Sequence, residues 1–146
     1  MIFLRDFLMG GIGVHLLISR DHYFCLEMGC GQSTNTRSEL VALWTLFITS
    51  KMFCLPCLHI HGYSSAIINW FNRRAVLSTL SLDGWCQNIK DLESSFLQLE
   101  SCHVYREFNV MADGLSKEAL SMASSLLHYS EFTEGECTGY GTFQLY

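Results

Sequence analysis

Charge is scarce in this chain. Only 16% of its 146 residues are charged, and 9 basic residues against 14 acidic ones leave a net charge of −5. A chain built mainly to grip phosphate usually carries a basic surplus, so the balance argues against tight binding driven by counterion release. Long apolar runs are missing too. Met1 to Leu8 is apolar but broken by Arg5 and Asp6, with no cationic leader, no small-residue cleavage site and no uninterrupted span of about 20 apolar residues. No membrane segment and no secretion signal are therefore expected, and no internal repeat is visible. What the chain does have is apolar mass. With 49% hydrophobic and 13% aromatic residues it is not a disordered chain, and its length suits one domain with a substantial core. Seven cysteines, an odd number scattered through apolar segments, fit reduced thiols in an intracellular protein of the nucleus or cytoplasm.

Hydrophobic periodicity divides the chain into elements. Met1 to Phe7 is the expected first strand, and Ile12 to Ser19 and Tyr23 to Met28 are expected to pair across a turn at Arg20-Asp21-His22. Thr34 to Thr36 offer helix N-caps. Leu40, Leu43, Trp44 and Phe47 then recur at i, i+3, i+4 and i+7, which predicts a helix with one buried face. Glu39 falls in its first turn, either as the acidic member of a capping box with Ser33 or Thr36, or as a carboxylate projecting toward the sheet. Leu58 to Gly62 reads as a strand feeding a helix from Ser64 to Phe71, whose end at Asn72-Arg73-Arg74 places cations at the negative pole of the dipole. A connector helix carries Leu82, Trp85, Ile89, Leu92 and Phe96 at helical spacing and leads to a strand from Ser101 to Tyr105. The last helix is expected from Val110 to His128. Residues 129–146, acidic and Gly-rich, read as a tail beyond a domain of residues 1–128.

The stretch from His103 to Leu120 concentrates the chemistry. A short alternating segment passes a polar bend, Asn109 stands as a plausible N-cap, and Asp113 falls in the first helical turn, near the positive dipole end and the preceding strand's terminus. Strand ends of this kind are where open α/β sheets place their chemistry. A lone first-turn Asp is equally a simple dipole partner.

The pattern H-V-x-R-E-x-N-x-x-A-D-x-L-S-K-x-A-L, from His103 to Leu120, resembles the last strand and helix of the ribonuclease H-like domains of plant retroelement polyproteins. Gly11-Ile12-Gly13-Val14, Thr34 to Leu40 and His59 to Trp70 match the same family in the right order. The resemblance implies an α/β ribonuclease H-like fold, with a five-stranded mixed sheet and helices on both faces. It also implies an ancestral endonuclease that hydrolyses RNA in RNA/DNA hybrids with two Mg2+ (or Mn2+) ions held by four carboxylates. Glu39 and Asp113 match the second and fourth of these. The first is open: Asp6 is either the remaining ligand on a shortened hairpin or a chance surface residue where the true first strand is absent. The third departs from the family, because Gly62-Tyr63-Ser64 stands where the family reads Gly-Asp-Ser. A tyrosine, neutral at pH 7, supplies neither the charge nor the paired oxygens of a bridging carboxylate. The expectation is a copy that is inactive or impaired, with a non-catalytic nucleic-acid-binding or protein-interaction domain as the alternative. The family likeness further implies weak contacts to a hybrid from Asn35, Ser64, Arg106 and Asn109; His103, on the strand, reads as structural.

Other constellations carry less. Cys54-Leu55-Pro56-Cys57 with His59 and His61 suggests zinc, but three of these would share one face of a single strand and could hardly close a tetrahedron with Cys54. Gly10-Gly11-Ile12-Gly13 is not followed by a helix and so is no dinucleotide fingerprint. Trp44, Trp70 and Trp85 lie at helical spacing among apolar residues and read as core.

Overall fold

The computed structural model describes residues 9–62, 64–77, 79–105, 107 and 109–146. The expected first strand, and with it Asp6, lies outside these, as do Tyr63 and Arg106. The chain forms two compact units, one from the segments up to Ser38 and from Val110 onward, the other from Glu39 to Asn109.

The first unit is built on an antiparallel sheet. Strand β1 (Met9–Ser19) turns at Arg20-Asp21 into β2 (His22–Gln32), with Val14 opposite Leu26. Alternation does the sorting here: Ile12, Val14, Leu16, Phe24, Leu26 and Met28 are buried on one face. The opposite face receives helix α4 (Val110–Glu118), and it can do so because Gly11 and Gly13 carry no side chains. A Cβ on Gly13 would collide with the Ala112 carbonyl, the Ser116 amide and the Leu115 side chain, and one on Gly11 would lie 2.5 Å from the Ser116 carbonyl oxygen. Helix and strand thus meet backbone to backbone.

Here the structure corrects the sequence reading. The last helix does not run to His128; it ends at Glu118 and tightens into a 3-10 turn at Ala119–Ser121. The supposed tail is a hairpin. Strand β5 (Leu126–Thr133) pairs antiparallel with β2, and β6 (Glu136–Gln144) with β5, giving the order β1-β2-β5-β6. Glu134 and Gly135 form the two-residue connection with φ of 53° and 82°, both left-handed, the geometry whose twist matches that of paired strands. The Glu134 amide donates to the Asp21 carbonyl at 2.8 Å, tying this turn to the β1–β2 turn. Leu127, fully buried, anchors the hairpin's inner strand.

The second unit packs helices on a parallel strand pair. β3 (Cys57–Gly62) and β4 (Gln98–His103) run side by side, with His61 opposite Cys102. Helix α1 (Asn35–Met52), of which all but the first residues belong here, α2 (Ser65–Phe71) and α3 (Asp83–Glu93) contribute Leu40, Phe47, Ile67, Trp70 and Ile89 to a core closed by Ile60 and Phe96. Phe47 sits at its centre, its ring 5.3 Å from Phe96 and 5.7 Å from Phe71. Trp70 is buried in this core, and Trp44 and Trp85 pack against it, their rings edge-on at 5.4 Å. A single buried stripe does not describe α1. Val41, Thr45, Thr49 and Ser50 are buried along with Leu40, Leu43 and Phe47, so the helix is enclosed on nearly every side, and its polar residues there had masked this in the pattern. Among the described residues, no helix is long and apolar enough to cross a membrane.

Candidate active site

Asp113 lies in the first turn of α4, as its spacing from Asn109 implies, and its side chain is only 14% exposed. Its position is set by the glycine contact, since the residues on either side, Ala112 and Ser116, are those that touch β1. The Lys117 ammonium lies 2.9 Å from Asp113 Oδ2, one helical turn on. The Ser116 hydroxyl donates to the Asp113 backbone carbonyl at 2.7 Å, closing that turn. One carboxylate oxygen of the expected metal ligand thus already faces a cation.

Glu39 is half-buried on α1, one turn later than the sequence suggested. The cap is Thr34, whose Oγ1 accepts from the Arg37 amide at 3.2 Å, so no acidic residue stands in the first turn and Glu39 is not part of a capping box. Around the cap, Arg37 Nη1 donates to the Cys30 carbonyl at 3.3 Å and to Ser33 Oγ at 3.2 Å, which fixes the β2–α1 loop. Asn35 opens the helix and is exposed. Glu39 belongs to one unit and Asp113 to the other.

The third position is framed closely. Gly62 ends β3, its carbonyl accepting from the Val104 amide at 2.9 Å, and Ser64 is the N-cap of α2, its Oγ accepting from the Ile67 amide at 3.4 Å. The described neighbours of residue 63 are thus the strand end and the helix cap that the sequence predicts. Residue 63 itself is a tyrosine. Ser64 is half-buried, Asn109 directly precedes α4, and His103 packs edge-on against Tyr105 at 5.6 Å.

One further titratable pair escaped the sequence. On β2, burial first, and then the hydrogen bond that the protonated Glu27 carboxyl donates to Glu118 and the charge of Glu118, push Glu27 up to about 7. Residues 27 and 118 share no motif; only α4 lying on the sheet brings them together. Burial likewise lowers the nearby His15.

The donor set can be tested against a pair of hard cations. Two such ions need a bridging carboxylate between them. A neutral phenol stands in the sequence at the place the resemblance gives to that ligand. These residues do not fit a two-ion centre.

The model of the reverse transcriptase-like family matches residues 5–119 of the sequence. No curated protein matches it. Among solved structures, ribonuclease H1 of the halophilic archaeon Halobacterium salinarum is 18% identical, with a TM-score of 0.60 over 77% of this chain and 94% of its own. The N-terminal ribonuclease H domain of a Mycobacterium tuberculosis protein, solved as a fusion with maltose-binding protein, is 15% identical, with a TM-score of 0.63 over 78% and 98%. LC11-ribonuclease H1, from a compost metagenome and solved in complex with an RNA/DNA hybrid, is 17% identical, with a TM-score of 0.60 over 77% and 95%. The fold is ribonuclease H-like, as the sequence pattern implied.

Proposed function

Because the chain belongs to the reverse transcriptase-like family, we propose that it is a ribonuclease H-type domain for RNA/DNA hybrids in which hydrolysis is lost or severely impaired. The observation that carries this reading is residue 63: a tyrosine between the last residue of β3 and the N-cap of α2, where the family motif calls for a metal-ligand aspartate. Replacing a residue that merely orients a ligand typically costs about 10- to 100-fold at a metal site, and loss of a bridging ligand costs more. Glu39 and Asp113, with Asp6 if its strand is intact, are the remaining acidic groups toward Mg2+ or Mn2+. The hybrid is supported as the partner class by the complex formed by the LC11 relative. Asn35, Ser64, Arg106 and Asn109 are the residues proposed to touch it. With a net charge of −5, such contacts are weak and fade with added salt. Descent from a plant retroelement, and a site of action in the nucleus or cytoplasm, belong to the same proposal and rest on the sequence pattern.

The test is cleavage of a labelled RNA/DNA hybrid in Mg2+ or Mn2+ by the natural chain, by Tyr63→Asp, and by Tyr63→Asp combined with Asp113→Asn. Cleavage by Tyr63→Asp alone is the expected result. Cleavage by the natural chain at a rate comparable to that of Tyr63→Asp overturns the proposal. Silence from all three, with the fold intact by circular dichroism, shifts the reading to a non-catalytic domain that keeps only nucleic-acid or protein binding.

A further inference from the structure

The parallel pairing of β3 and β4 creates a cluster that the linear sequence hides. Ile60 is buried in the core, and Leu58 and Leu99 pack against it, so the alternate residues turn the other way. On that outer face His59 and His61 are exposed, and Cys102, opposite His61 in register, lies half-buried beside them. Cys102 Sγ is 3.5 Å from His61 Nδ1 and 3.9 Å from His59 Nε2, and the two imidazole rings lie 4.6 Å apart. One ligand atom from each of the three falls within 4.8 Å of the others. Cys102 is 41 positions from His61, a separation at which no metal motif is read.

We propose that His59, His61 and Cys102 form a zinc-binding site on the outer face of the β3–β4 pair. Zinc bonds of about 2.0 Å to nitrogen and 2.3 Å to sulfur, at tetrahedral angles, set sulfur and nitrogen about 3.6 Å apart. Both S···N separations here are already near that value. Two imidazoles and one thiolate favour zinc over magnesium, which takes oxygen ligands. The Cys102 thiol gives up its proton to solvent as the Zn–S bond forms. The fourth position is left to water. Glu100, the nearest carboxylate in register, is engaged by the Gln98 amide at 2.7 Å and is not counted as a ligand. Cys54 has no part in the set; the ligand that closes it comes from β4. The bound ion pins β3 to β4 one residue short of Gly62, the last residue of β3.

The experiment is titration of the full chain, reduced and metal-free, with Zn2+ by calorimetry and with Co2+ by absorption. One equivalent should bind, with a thiolate-to-cobalt charge-transfer band and a rise in Tm on adding zinc. Cys102→Ser should abolish the band, and His59→Gln or His61→Gln should weaken zinc binding more than about 100-fold, beyond the range for residues that only orient ligands. Cys54→Ser should bind as the natural chain does. The two histidines are exposed, so their variants test the site even if Cys102→Ser misfolds. Undiminished binding in the histidine variants, or a natural chain that takes up no Co2+ with a sulfur band, overturns the proposal.

Discussion

Lys117 Nζ and Asp113 Oδ2 lie 2.9 Å apart, with the acid in the first turn of α4 and the base four residues later in its last. This is the favourable order for such a pair, each charge also sitting at the complementary end of the helix dipole. The lysine is 68% exposed, so water screens much of the attraction. Lys117→Gln should therefore lower the unfolding free energy by only about 0.3 to 0.5 kcal/mol in urea titrations. A loss several times larger would mean that the ammonium also compensates negative charge elsewhere.

Gly13→Ala should be far more damaging. The added methyl meets helix backbone at Ala112 and Ser116, not a side chain that can swing away. Overpacking of this kind costs about 1 to 3 kcal/mol or more. Thermal unfolding should show a large fall in Tm, and an unchanged Tm would contradict the backbone contact between α4 and β1.

Glu27 makes stability depend on pH. Its folded-state value is raised from 4.5 to about 7, so the folded chain holds a proton there that the unfolded chain has released. The stabilisation is complete below pH 4.5 and is lost as the pH rises through about 7. Glu27→Gln should remove that slope, leaving the variant more stable than the natural chain at pH 8. The gain should be on the order of 1 to 2 kcal/mol once solvent screening is allowed for. Denaturant unfolding at pH 4, 6 and 8 separates the cases, and parallel pH profiles for the two proteins would refute the coupling.

Removal of residues 123–146 should leave the chain aggregation-prone. It strips β5 from β2 and takes away the fully buried Leu127, presenting an unpaired strand edge to other molecules. Light scattering against concentration reads the outcome, and a monodisperse truncated chain would show that the hairpin is dispensable.

Elements with strong periodicity were legible in sequence. The β1–β2 meander, the connector helix and the β3–α2 junction all lie close to where apolar spacing and turn residues place them. The C-terminal hairpin was missed because Leu120, Leu126 and Leu127 continue the preceding helical pattern. The signal that could have found it is Glu134-Gly135 between segments rich in Tyr, Phe and Thr. For the proposed site, Glu39 and Asp113 could be picked out by motif, and the tyrosine at residue 63 together with the open first position at Asp6 raised the question of activity. The Lys117 pair, the Glu27–Glu118 pair and Cys102 beside His61 could not, because each depends on a contact that only the folded backbone makes.

Gly11 and Gly13 hold α4 in place without contributing a single functional atom. A mutational scan scored by activity in a restored Tyr63→Asp background would rank these two beside Glu39 and Asp113. The scan alone would then mix positions that hold the scaffold with those proposed to hold metal. Telling them apart requires a second score for folding, in which the glycines fail and the carboxylates do not.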